Sequence, residues 1–268
     1  MRIHGDKDDG PDFRKKYNIR GYPTVMFLNS EGEEIDRICG WYGDKEAYFQ
    51  TIQDYANDKN TLGEFIGKFK RDSNNVDVNY QLAMKYVNRW EGERAKPNFE
   101  KILVLDPQDT KGYKAEATCY LAVYEIRVNK DPGQVQEFLK TTKNEKLLDL
   151  CYSNLIRYYK GEKDQEKVVE TYEAIVTILP TDAGYLNQYA WYIYENKLSE
   201  LYNRGIELAR EAVKNRPESA GIWDTLSWLL YAKGDIEEAI QYMKKAIELD
   251  PESKYYQDNL NKMEKGIS

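Results

Sequence analysis

The residues able to do redox or metal chemistry are few and scattered. Cysteine occurs only at positions 39, 119 and 151, and the single histidine is His4. Thiol–disulfide exchange needs a low-pKa thiolate at a helix N-terminus, with a resolving thiol three residues on. Cys39, Cys119 and Cys151 are far apart in sequence, so they make no disulfide framework. Cys39 reads as a small buried hydrophobe. His4 has no partner at metal-ligand spacing and reads as exposed. Asp6-Lys7-Asp8-Asp9-Gly10 has a superficial calcium-loop character. Its glycine comes one place early and no Glu closes the loop, so it reads as a polar turn. No Gly-rich phosphate loop, nucleophile elbow or general acid–base pair stands out. The expectation is a chain with no catalytic residue, no metal and no cofactor.

Composition narrows the partners. Charged residues make up 32% of the 268 positions, and the net charge is −7. Lys and Arg number 9 against 12 Asp and Glu in the first sixty residues, and 30 against 34 in the remainder. No block is basic, which argues against nucleic acid. No run of 18 apolar residues exists, so no membrane span is expected. No signal peptide begins at Met1. The sequence leaves compartment and oligomeric state open.

Two segments of different character follow. After Tyr22-Pro23-Thr24, the apolar run Val25–Leu28 reads as a strand. Pro23 lacks an N–H and suits only its first position or an edge. Asn29-Ser30-Glu31-Gly32 is a turn signal, and Glu33–Cys39 reads as the returning strand of a hairpin. Gly40 closes it. Arg2–Gly5 is a possible short strand, and Pro11–Tyr17 a helix with proline near its start. Asp44 suits the N-cap of a helix to about Asp58. Residues 61–71 form an amphipathic helix, with Thr61 and Glu64 as a capping-box pair.

Taken together, residues 17–43 and their flanks resemble the C-terminal half of a thioredoxin-like domain. The resemblance implies a cis Tyr22–Pro23 bond and a weak peptide-docking role for Tyr22 and Pro23. The segment that would carry Cys-x-x-Cys is not in this sequence. Without the family's central strand, Val25–Leu28 would keep an unpaired apolar edge. A remnant of about 60 residues has a marginal core, so it should dock on the rest of the chain or be poorly ordered. Met1 is accordingly not expected to be the start of a natural domain.

The remaining 200 or so residues repeat. Pro217 and Pro251 are 34 residues apart, as are Ala212 and Ala246, and Ala209 and Met243. This period and pattern resemble the tetratricopeptide repeat (TPR). Trp223, Leu226, Leu230, Gly234, Ala239, Met243, Ala246 and Pro251 fill its slots, with Ser227 where a smaller residue is usual. The expected units are 76–107, a degenerate pair over 110–146, then 149–180, 183–217 and 220–251, closed by a capping helix over 254–265. Residues 1–60 are expected as a partial domain, and 61–75 as a bridging helix and linker. Three extra residues near 198–202 should sit in the turn of the fourth unit. Pro97 should delay the start of its helix. The fold class is therefore mostly α: a TPR-type α-solenoid of antiparallel helix pairs, preceded by an incomplete thioredoxin-like α/β half-domain.

In that family the first helices of the units line a concave groove for peptides. By resemblance, the groove residues are Asn187, Trp191 and Tyr194, then Asp224, Trp228 and Tyr231 in the same slots of the next unit. The alternative is that these aromatics pack on neighbouring helices. Arg157 and Lys160 fall on the groove side of the 149–180 unit and could hold acidic groups; the alternative is that they belong to a solvated face. The Lys/Asn arrangement that clamps a C-terminal carboxylate in chaperone-binding members is not visible. The expected function is a protein-interaction scaffold that binds a polypeptide and catalyses nothing. The competing expectation is a fragment of a thiol–disulfide oxidoreductase whose Cys-x-x-Cys precedes Met1.

Overall fold

The computed structural model describes residues 3, 5, 7, 9–40 and 43–266. Arg2 and His4 of the segment expected as a strand over Arg2–Gly5, and Asp6 and Asp8 of the polar turn, lie outside the described residues. By compactness the chain divides into Met1–Cys151 and Tyr152–Ser268. This division differs from the one expected at residues 60 and 75. The hairpin segment is part of a larger compact unit because its buried face is made by the helices that follow it.

In the first unit α1 (Gly10–Lys16) precedes the strands β1 (Thr24–Leu28) and β2 (Glu34–Cys39). These pair antiparallel, with Thr24 opposite Cys39 and Phe27 opposite Asp36, and the register shifts between Phe27 and Leu28. Asn29 builds the turn: its Oδ1 accepts from the N–H groups of Glu31 (3.0 Å) and Glu33 (2.8 Å). Among the described residues β1 has no other strand partner. The Tyr22–Pro23 peptide is cis. Next comes α2 (Lys45–Ala56), capped by Asp44, whose carboxylate accepts from the N–H groups of Glu46 and Ala47. The helix α3 (Leu62–Arg71) follows. Glu64 N–H donates to Thr61 Oγ1, but the Glu64 carboxylate accepts from Asn60 N–H, one residue earlier than a capping box requires.

Then come α4 (Val76–Asn88), α5 (Gly92–Leu105), α6 (Lys114–Val128) and α7 (Gly133–Leu139). Leu82, Ala83, Tyr86, Ala95, Phe99, Ile102 and Ala117 form a buried core, onto which Leu62, Phe65, Ile66 and Phe69 of α3 pack. Stacked rings join successive pairs: Tyr80 on Tyr113 at 3.9 Å, and Phe99 on Tyr120 at 5.1 Å. The delay expected from Pro97 does not occur, since α5 starts at Gly92. The Glu91 carbonyl accepts from the N–H groups of Arg94 and Ala95, and its carboxylate binds Arg94 at 2.9 Å. The first turn is therefore fixed ahead of the proline.

The division falls inside α8 (Glu145–Glu162). The second unit continues with α9 (Gln165–Ile178), α10 (Ala183–Glu195), α11 (Tyr202–Asn215), α12 (Ala220–Lys233), α13 (Ile236–Leu249) and α14 (Lys254–Lys265). The extra residues near 198–202 form a short 3-10 turn, Ser199–Leu201. Gly234, at φ +101°, ends α12, and its N–H donates to the carbonyls of Leu230 and Tyr231. Ala239 and Ala246 are completely buried. Ser227 is accommodated because its hydroxyl donates to the Ala239 carbonyl at 2.7 Å.

One buried charge cluster joins the hairpin to the helices of the first unit. Asp36 of β2 is wholly buried. Its Oδ2 binds Lys85 Nζ (2.6 Å) and accepts from Leu62 N–H (2.8 Å), while its Oδ1 binds Arg89 Nη1 (2.5 Å). Lys85 also donates to the Tyr55 hydroxyl and the Asn60 carbonyl. Burial lowers the Lys85 pKa, and the Asp36 carboxylate opposes that shift. The sequence expectation that this segment should dock on the rest of the chain thus has its counterpart in Asp36, Lys85 and Arg89. Replacing Asp36 with Asn leaves Lys85 without its anion in a dry site, while Arg89 keeps Glu34 and Glu91. Such a loss costs about 3–5 kcal/mol. Asp36→Asn should lower the urea midpoint of the first unit accordingly, measured through amide exchange in α3 and α4. An unchanged exchange pattern would remove the cluster from its anchoring role.

Candidate functional site

The groove residues named from sequence lie in the second unit, on α10 and α12. The i, i+3 and i+4 spacing puts Asn187, Trp191 and Tyr194 on one face of α10, and Asp224, Trp228 and Tyr231 on the equivalent face of α12. Their rings form an unbroken row. Trp191 meets Tyr194 at 5.2 Å, Tyr194 stacks on Trp228 at 5.5 Å, and Trp228 meets Tyr231 edge-on at 5.8 Å. All four are half-buried. They pack on neighbouring helices and still keep an accessible edge, so the two sequence alternatives are not exclusive.

Polar acceptors accompany the rings. Asn187 Oδ1 is buried and has no hydrogen-bond donor among the described residues. Asp224 is buried and receives long contacts from Tyr255 Oη and Asn259 Nδ2 of α14, each at 3.4 Å, with Trp228 as a further donor. Burial raises its carboxyl pKa to about 6 from an ordinary 3.8, against the pull of the Asn259, Tyr255 and Trp228 donors.

Lys160 meets a different pair of rings. Its ammonium lies 5.3 Å from the Tyr172 centroid and 4.8 Å from that of Tyr192, and donates to the Tyr172 hydroxyl at 3.1 Å. The side chain as a whole is exposed, but its head is flanked by rings, and this partial burial lowers its pKa. A polar cavity of about 320 Å³ opens beside it, lined by Tyr159, Lys163, Gln165, Tyr192, Glu195 and Asn196. Arg157 is exposed on the same helix. In the first unit the Tyr22 side chain is half-exposed, at 52%.

Three features were missed from sequence. The Asp36 cluster joins residues 53 apart in the chain. A cavity of about 440 Å³ lies among Trp90, Phe99, Tyr120, Tyr124, Lys96 and Arg127 of the first unit. Cys119 and Cys151 adjoin each other. None of these carries a local motif, so no one-dimensional signal announces them. Among the described residues no group of three or more His, Cys, Asp or Glu is placed to hold a metal. No described helix is long and apolar enough to cross a membrane.

Residues 220–253 match the tetratricopeptide repeat family model, and the chain carries such repeats in a mostly helical, TPR-like fold. The C-terminal part of a TPR repeat-containing protein from Cytophaga hutchinsonii superposes with a TM-score of 0.61 at 16% identity, covering 81% of this chain and 83% of that one. YrrB, described as a TPR protein with an unusual peptide-binding site, gives 0.53 at 14% identity, covering 73% and 96%. At these identities the likeness is one of fold. Protein O-mannosyl-transferase TMTC1 of Homo sapiens is 26% identical over 190 residues, which cover 69% of this chain and 20% of that protein. The Mus musculus protein of the same name is 25% identical over 117 residues, covering 43% and 12%. The chain thus spans about a fifth or less of the length of these curated relatives.

Asp224 sets a pH dependence with a definite sign. Its folded-state pKa lies above the unfolded value, so between these values the folded state binds more protons. Stability therefore falls as pH rises through roughly 4 to 6. The ionised form is disfavoured by up to about 3 kcal/mol at pH 7. Asp224→Asn should be more stable than the parent chain at pH 7, and the difference should vanish near pH 4. Urea unfolding of both proteins across that range measures it.

Proposed function

We propose that this chain is a protein-interaction scaffold that binds a polypeptide along the first helices of its repeats and carries out no chemistry itself. The observation that carries this reading is the half-buried row Trp191–Tyr194–Trp228–Tyr231. Trp and Tyr supply large contact area at low entropic cost and dominate binding hot spots. A polypeptide laid across the row would offer N–H donors, and Asn187 Oδ1 and Asp224 are acceptors short of strong ones. Arg157 and Lys160 would serve acidic side chains of the same ligand. YrrB, whose fold this chain shares, is itself described as having a peptide-binding site.

The hairpin segment fits the same reading as a non-catalytic remnant of a thioredoxin-like domain. Its order of helix, two antiparallel strands and helix supports this, and the half-exposed Tyr22 beside Pro23 gives it a secondary docking position. The match to TMTC1 fits a repeat segment within a larger protein, and mannosyl transfer is assigned to no residue of this chain.

Two measurements test the reading. A displayed peptide library selected on the full chain should yield binders, and Trp191→Ala with Trp228→Ala should weaken them about tenfold or more. Equal affinity for the double variant would remove the aromatic row from binding. In an insulin-reduction assay with dithiothreitol, the chain should give no turnover above the background thiol rate. Turnover above that rate would favour an oxidoreductase.

A further inference from the structure

Two of the three cysteines are neighbours in space. Cys119 lies in α6 and Cys151 in α8, both side chains are completely buried, and the sulfurs stand 3.2 Å apart. The Cys119 thiol also lies 3.9 Å from the Leu147 carbonyl. A disulfide has an S–S distance of about 2.03–2.05 Å, so closure asks each sulfur to move by well under about 1 Å. The Cys151 sulfur and burial both push the Cys119 thiol pKa far up. Exchange catalysts need the opposite, a thiolate stabilised near neutral pH. This pair is therefore unsuited to turnover and suited to a bond that, once made, is shielded from reductants.

The surroundings give such a bond a purpose. The second helices α5, α9, α11 and α13 each have 14 residues, whereas α7 has 7. The degenerate pair therefore gives α6 half the usual partner. The chain between the two cysteines contains α7 and both of its connections, so a bond there would tie α6 to α8 and close the loop holding the short helix. Cross-links of this kind act largely by restricting the unfolded chain.

We propose that Cys119 and Cys151 form a structural disulfide that replaces the packing lost in the shortened repeat. The oxidant is a small-molecule disulfide of the glutathione type. The thiolate of one cysteine, exposed by local opening or during folding, attacks one sulfur of the oxidant and expels one thiolate. The second cysteine, as thiolate, attacks the protein sulfur of the mixed disulfide and expels the other. The two protons lost by the cysteines end on the two thiols released.

The test uses the full chain, once in its native state and once refolded from urea, in a buffer of oxidised and reduced glutathione. Free thiols are then blocked with N-ethylmaleimide. The expected product carries one label, on Cys39, and yields a proteolytic peptide joining Cys119 to Cys151. Its urea midpoint should exceed that of the reduced chain, and Cys119→Ala should abolish both the link and the increase. Formation only on refolding would still support the bond, with burial limiting access. Three labelled cysteines after both treatments, stable glutathione adducts in place of the link, or a lower midpoint for the linked chain would each overturn the proposal.

Discussion

Where α10, α11 and α12 meet, a β-carbon added to Gly205 would lie 2.9 Å from Leu229 Cδ2 and 3.3 Å from Ile193 Cγ2. Helices can come that close only if the residue at the crossing has almost no side chain. Ala190, Ala209, Ala212, Ala239 and Ala246 serve the same end in this unit, and all are completely buried. Close approach at these points lets Tyr189, Leu226, Leu229 and Met243 fill the space between helices. A helix pair has too little core to fold alone, so the next pair must supply the missing surface. Enlarging a crossing residue would separate helices and reopen gaps that larger side chains now fill.

The first unit needs another device at its start. A two-stranded hairpin is at best marginally stable in water by itself. Here it is anchored by charge: Asp36 between Lys85 and Arg89, with Glu34 also bound to Arg89. Such clusters are costly to desolvate and add little net stability compared with apolar packing. They do fix geometry, because each carboxylate oxygen has a defined partner. The hairpin is thus positioned by a few directional contacts, while the helices that follow are held by area.

The same repetition that builds the core also builds the aromatic row. Slots that face away from the paired helix recur in each unit, so residues placed there align across units. Trp191 and Trp228 occupy one such slot, Tyr194 and Tyr231 another. Tyr194 links two successive repeats of the second unit by stacking on Trp228. The rings gain order from one another by stacking, which would reduce the entropy lost if a ligand bound there. Buried beside them, Asp224 is held in place mainly by long contacts from α14. The capping helix therefore holds Asp224 as well as closing the end of the core.

Sequence alone determined the helical period, the small residues at the crossings, the cap at Asp44 and the turn at Gly234. These follow from local rules: spacing decides which face is apolar, and the backbone at each helix end needs a particular partner. It also placed Trp191, Tyr194, Trp228 and Tyr231 on equivalent faces, because a repeat carries its own register. It misjudged Pro97, since the Glu91 carbonyl and carboxylate fix the first turn of α5 through Arg94 and Ala95, ahead of the proline. Only the tertiary structure paired Asp36 with Lys85 and Arg89, and brought Cys119 to Cys151. Nothing local distinguishes these residues from any other charge or small hydrophobe; their chemistry exists only once distant turns of the chain have packed and water has been excluded between them.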